Sequence, residues 1–105
     1  MFAVIFTAEF AATLDEEYEV SASKLRARAQ RLYGCLEFVS FREGDKEIAV
    51  SYWKTMADIK RWRADSEHVQ AQSIGRQRWY KSYEVKIVEV LKSYSGFLDE
   101  SVSPS

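Results

Sequence analysis

Apolar residues alternate from the start of the chain. Phe2, Val4, Phe6, Ala8 and Phe10 share one face, with Ala3, Ile5, Thr7 and Glu9 on the other, the period of a β-strand. Thr13-Leu14-Asp15-Glu16 then has capping-box spacing, which predicts a helix start in which the Thr13 hydroxyl and the Glu16 carboxylate satisfy free backbone N–H groups. Leu14, Tyr18, Ala22, Leu25, Ala29 and Leu32 recur at steps of four and three and form one apolar stripe. Gly34 suits the left-handed residue that ends such a helix. Leu36 to Arg42 and Lys46 to Trp53 read as two strands joined through Glu43-Gly44-Asp45, a hairpin connection. Thr55, with Asp58 three residues on, is placed to cap a short helix carrying Ile59 and Trp62. Asp65 or Ser66 caps a second helical piece running to about Tyr80. Tyr83 to Leu91 is the last strand, with Tyr83, Val85, Ile87 and Leu91 on one face and Val88 and Val90 on the other.

Strand, helix, strand, strand, helix, strand is the order of a ferredoxin-like α+β sandwich. Right-handed crossovers turn it into a four-stranded antiparallel sheet with helices on one face. Residues 1–94 form this domain, and residues 95–105, serine-rich and ending near the sole proline, Pro104, form a loose tail. Strands that are apolar on both faces pose a packing problem, because two amphipathic helices cover only one side of the sheet. A second copy packed face to face covers the other, so a homodimer is expected.

Composition narrows the function classes. A chain of 105 residues, 47% hydrophobic and 30% charged, supports one domain with a real core. The formal net charge is -1 with both signs interspersed, so no basic stripe follows a phosphate backbone or grips an anionic membrane; neither nucleic acid nor membrane is an expected partner. One cysteine, Cys35, cannot form an internal disulfide, and no apolar run matches a membrane span or a cleavable signal. The cytoplasm is the expected location.

Candidate chemistry gathers between Ile48 and Tyr80. At 3.6 residues per turn the second helical piece places His68, Gln72, Gly75 and Trp79 on one side with Arg76 at its margin, like the wall of a pocket. His68 is the sole histidine, and with one distant cysteine it supplies no credible metal-ligand set. Cys35, with no local basic cluster to lower its pKa, reads as a small packed residue.

Val50-Ser51-Tyr52-Trp53, Ile59, Trp62, Glu67-His68, Ala71-Gln72, Gly75-Arg76, Trp79-Tyr80 and Tyr83 together resemble the antibiotic biosynthesis monooxygenase family, most nearly its small uncharacterised bacterial members. The resemblance runs from Phe2 to about Tyr94 and implies a dimeric α+β barrel. It also implies a cofactor-independent monooxygenase that uses dioxygen on a small aromatic or quinol-type substrate without metal or flavin. In such members a phenolic substrate is deprotonated and reacts directly with dioxygen, so the protein binds an aromatic ring, accepts a proton and stabilises an oxyanion. His68 is then the candidate base or hydrogen-bond partner, a helix cap or strand contact being its alternative reading. Trp62 resembles a pocket-lining tryptophan of the family, and Arg76 is placed to stabilise an oxyanion unless it is a solvated surface charge. Tyr52, Gln72, Trp79 and Tyr80 complete the expected substrate pocket, with core packing the competing role for the tryptophans. The family also holds haem-degrading enzymes, with a ligating histidine on the second helical stretch and an asparagine on the first strand. Here Gln72 aligns with the ligand and Phe6-Thr7 with the asparagine, which disfavours haem. A different class stays open, a binding or stress-response module whose cavity holds a small ligand without turning it over.

Overall fold

The computed structural model describes residues 1–11 and 14–97. It contains β1 (Phe2–Phe10), α1 (Glu16–Leu32), β2 (Glu37–Glu43), β3 (Lys46–Trp53), α2 (Met56–Arg63), α3 (Ser66–Ile74), a π-helical turn (Gly75–Trp79) and β4 (Tyr80–Glu89). The strands form one antiparallel sheet in the order β2-β3-β1-β4, so the two hairpin strands lie side by side and the chain's first strand lies inside the sheet. This is the ferredoxin-like α+β arrangement.

Local chemistry accounts for the element ends. The Asp15 carboxylate accepts a 3.0 Å bond from the Tyr18 N–H and caps α1. Thr13, the expected partner in a capping box, lies outside the described residues. At the other end Gly34 takes φ 77°, and the Cys35 N–H reaches back to the Ala29 carbonyl at 3.0 Å, a closure that favours glycine. Thr55 caps α2, its hydroxyl accepting from Asp58 N–H at 3.2 Å. Gly44, at φ 61°, opens the tight β2–β3 connection.

Register sorts the side chains onto two faces. Val4 stands opposite Ser51 and Ile87, and Phe6 opposite Ala49 and Val85, all on the side that carries the helices. Two apolar clusters form there. One joins Val4, Ala29, Cys35, Trp53, Ile59 and Trp62; the other joins Phe10, Tyr18 and Trp79. The opposite face holds Ile5, Val39, Phe41, Ile48, Val50, Tyr52 and Val88, and among the described residues no helix covers it. Phe41 there is 71% exposed.

The last third of the chain departs from the periodicity. A continuous helix to Tyr80 and a strand from Tyr83 were expected, but the helix widens into a π-turn at Gly75 and the strand begins at Tyr80, paired with Phe10. The wider turn admits one more residue per turn than hydrophobic spacing anticipates. Leu91, expected in the last strand, lies beyond it and is exposed. Of the expected tail, residues 95–97 carry no regular structure and residues 98–105 lie outside the described residues.

Candidate functional site

A hollow of about 190 Å³ lies between the helices and the sheet, and both core clusters contribute to its walls. Its first end is built on α2. Thr55 starts that helix, Ile59 and Trp62 fall one turn apart on its inner side, and both are buried. The Trp62 ring centroid lies 4.9 Å from that of Trp53, and the ring meets Phe38 edge-on at 6.0 Å.

The junction from α2 to α3 turns on Asp65. Its buried carboxylate accepts from Arg28 Nε at 3.1 Å and Arg28 Nη2 at 2.7 Å, from the Tyr33 hydroxyl at 2.5 Å, and from the Glu67 N–H at 2.9 Å. Those donors, Arg28 foremost, hold its pKa far below the ordinary carboxylate range. The start of α3 is thereby tied to α1, and His68 is delivered one turn in, its ring 4.4 Å from that of Trp62. Burial first, and then the charge of Arg63, lower the His68 pKa to about 4; the Trp62 backbone and Asp65 pull weakly the other way. The imidazole is neutral at neutral pH.

The second end is aromatic and carries one carboxylate. Tyr18 meets Phe10 at 5.3 Å and Trp79 at 5.0 Å, both edge-on, and donates a hydrogen bond to Glu47. Glu47 also lies 3.8 Å from Arg42. Burial, followed by Glu47, drives the Tyr18 pKa well above the phenolic range, and burial raises Tyr80 to about 12. Both phenols therefore act as neutral hydroxyls. Gly75 has ordinary helical φ and ψ, so space is what demands glycine there: a Cβ would collide with the Tyr80 ring, lying 2.8 Å from Cδ2 and closer still to Cε2. The Tyr80 ring lies against that bare backbone and walls the hollow.

Six of the residues named from sequence border this hollow: Trp62, His68, Gln72, Arg76, Trp79 and Tyr80. Tyr52 does not. It pairs with Ala3 and Glu37 on the open face, because it is one residue out of phase with the inward Ser51 and Trp53. Tyr18, Glu47, Arg26 and Arg63 also line the hollow and were not singled out from sequence. Glu47 was legible in principle, since it shares parity with Ala49 and Ser51 and so puts a carboxylate on the inward face of β3. Tyr18 read as one more member of an apolar stripe.

Three buried side-chain polar atoms among the described residues have no hydrogen-bond partner: Trp62 Nε1, Trp79 Nε1 and His68 Nδ1. All three belong to residues lining the hollow. Trp53, by contrast, donates its indole N–H to Ser51 Oγ at 2.8 Å. Buried polar groups are ordinarily paired, so these three nitrogens are exceptions, each closed off by its packed neighbours. Among the described residues no three His, Cys, Asp or Glu side chains are grouped to hold a metal ion. No helix among them is long and apolar enough to cross a membrane.

A family model described as antibiotic biosynthesis monooxygenase matches residues 1–73. An uncharacterized protein of Bacillus subtilis, YqjZ, is 38% identical over 90 residues, covering 85% of this chain and 78% of that one. Among solved structures, Rv0793 from Mycobacterium tuberculosis superposes with a TM-score of 0.77 at 10% identity, covering 90% of this chain and 98% of its own. SnoaB, a cofactor-independent oxygenase from Streptomyces nogalater, superposes with a TM-score of 0.70 at 14% identity, covering 88% and 95% respectively. These two likenesses are of fold.

Proposed function

Because the chain belongs to the antibiotic biosynthesis monooxygenase family, we propose that it is a cofactor-independent monooxygenase, using dioxygen to oxidise a small aromatic or quinol-type substrate in the hollow beside Trp62 and His68. The observation that carries this reading is an aromatic-walled hollow lined by Trp62, Trp79 and Tyr80, with the buried, neutral His68 packed beside Trp62. A flat ring lies against the indole faces. His68 faces the ring hydroxyl and takes its proton, or shares it through a hydrogen bond. Arg76, exposed at the wall, offsets the charge that develops on oxygen. For a ring methylene the balance is complete: CH2 becomes C=O, one oxygen atom enters the substrate, and the other leaves as water with the two methylene hydrogens.

The depressed His68 pKa favours a second reading. An imidazole at about 4 is a weak base, so removing a proton from an ordinary phenol costs several pH units of driving force unless the oxyanion is stabilised in the same step. A cavity that binds an aromatic without turnover needs no such compensation. Oxygen uptake separates the two. With a panel of quinols and anthrones, the parent consumes oxygen and His68→Ala and Trp62→Phe lose about tenfold or more of kcat/KM. No uptake with any of them leaves the binding module.

The same proposal includes a cytoplasmic homodimer joined through the open sheet face, where Phe41, Ile48 and Val88 are exposed. Sedimentation at micromolar concentration is expected to show a dimer for the parent and a monomer for Phe41→Glu, which buries a charge at the contact. A parent that sediments as a monomer rules the assembly out.

A further inference from the structure

The polar inventory of the hollow is lopsided. Its lining residues include Arg26, Arg63 and Arg76, none of which forms an ion pair among the described residues. Against these stands a single wall carboxylate, Glu47, already held by Tyr18 and near Arg42. Positive charge exceeds negative along the lining.

Two of the arginines belong to the Trp62 end. Arg26 is anchored there, with Nη2 donating to Ser40 Oγ at 2.7 Å and its guanidinium 5.1 Å from the Phe38 ring centroid, and Phe38 itself meets Trp62. Arg63 follows Trp62 directly and its charge is felt at His68. Both are half-buried. A partly desolvated guanidinium without a counter-ion favours an anion, and its planar fork suits the two oxygens of a carboxylate.

Size favours a small ligand. The hollow measures about 190 Å³, whereas an apolar cavity of roughly 150 Å³ takes a benzene ring and clefts for drug-sized ligands begin near roughly 300 Å³. One ring with a small substituent fits.

Resting on the reading of the hollow as the substrate site, we infer that its ligand is a single-ring aromatic carboxylate, the ring between Trp62 and Trp79 and the carboxylate toward Arg26 and Arg63. Benzoate, 4-hydroxybenzoate, neutral benzamide and a three-ring anthrone are suitable probes, titrated against the intrinsic fluorescence of the buried tryptophans and by calorimetry. The carboxylates bind about tenfold tighter than benzamide and tighter than the anthrone. In the Arg26→Gln/Arg63→Gln double variant that preference falls to about threefold or less, compared as the ratio of benzoate to benzamide affinity within the same folded protein. Equal binding of benzoate and benzamide, no binding of any single-ring probe, tighter binding of the anthrone, or a preference that survives the double substitution each overturns the assignment. The outcome is separable from the oxygenase reading. Oxygen uptake on neutral quinols with no carboxylate preference removes only this inference, whereas a carboxylate preference without any uptake removes only the oxygenase.

Discussion

Asp65→Ala is expected to lower the unfolding free energy by about 3 kcal/mol, the cost typical of leaving a buried ion pair with one partner. The side chain is only 4% exposed, and its loss strands several donors together. Arg28 loses both carboxylate bonds, Tyr33 loses its acceptor, and the Glu67 N–H at the start of α3 loses its cap. The cap alone is worth about 1 kcal/mol. Asp65→Asn keeps the shape and one carbonyl oxygen but removes the charge, so it falls between parent and Ala. Urea unfolding reads this out as a lowered midpoint at unchanged slope. A loss below about 1 kcal/mol for Asp65→Ala would mean that Arg28 and Tyr33 find water at little cost and that the junction is not held there. The effect reaches the site as well, because Asp65 is what sets α3, and with it His68, at the edge of the hollow.

Much of this was readable in the chain. Alternation in β1 and the four-and-three spacing in α1 depend on which side of an element faces apolar matter, and that preference is written residue by residue. The caps at Thr55 and Asp65 and the turns at Gly34 and Gly44 are equally local. What escaped depends on distant partners. Helical spacing cannot reveal the π-turn, because Gly75 is required by the Tyr80 ring lying on it rather than by its own φ and ψ. Tyr52 was grouped with the site by its nearness in sequence to Trp53, yet in a strand adjacent residues face opposite ways. Arg26 and Arg63 were not singled out, since nothing in a helical repeat shows that no carboxylate waits opposite them. Trp62 and His68 were visible as candidates, but that their nitrogens lack partners follows only from the packed structure.

Between pH 7 and pH 5 the parent is expected to lose about 2 kcal/mol of stability through His68 alone. The group titrates near 4 in the folded chain against 6.5 ordinarily, so over that interval the unfolded chain binds a proton that the native state refuses. Stability therefore falls as the pH drops through 6.5 and stops falling on this account once the pH is below about 4, where both states are protonated. His68→Gln keeps a polar side chain but cannot titrate, so its stability is flatter over the same range, and the difference between the two curves isolates the histidine. Asp65 contributes a separate, more acidic limb. Its folded pKa is depressed, so the stability it supplies is present above 3.8 and is lost as the pH falls below that value. Asp65→Asn should remove part of the acid limb and keep a neutral limb, which can only deepen as the Asp65 charge that favours the imidazolium is lost. Parallel curves for the parent and His68→Gln between pH 7 and 5 would show that the imidazole takes up its proton as readily folded as unfolded. A buried neutral ring beside Trp62 and Arg63 could not then be what the hollow offers its ligand.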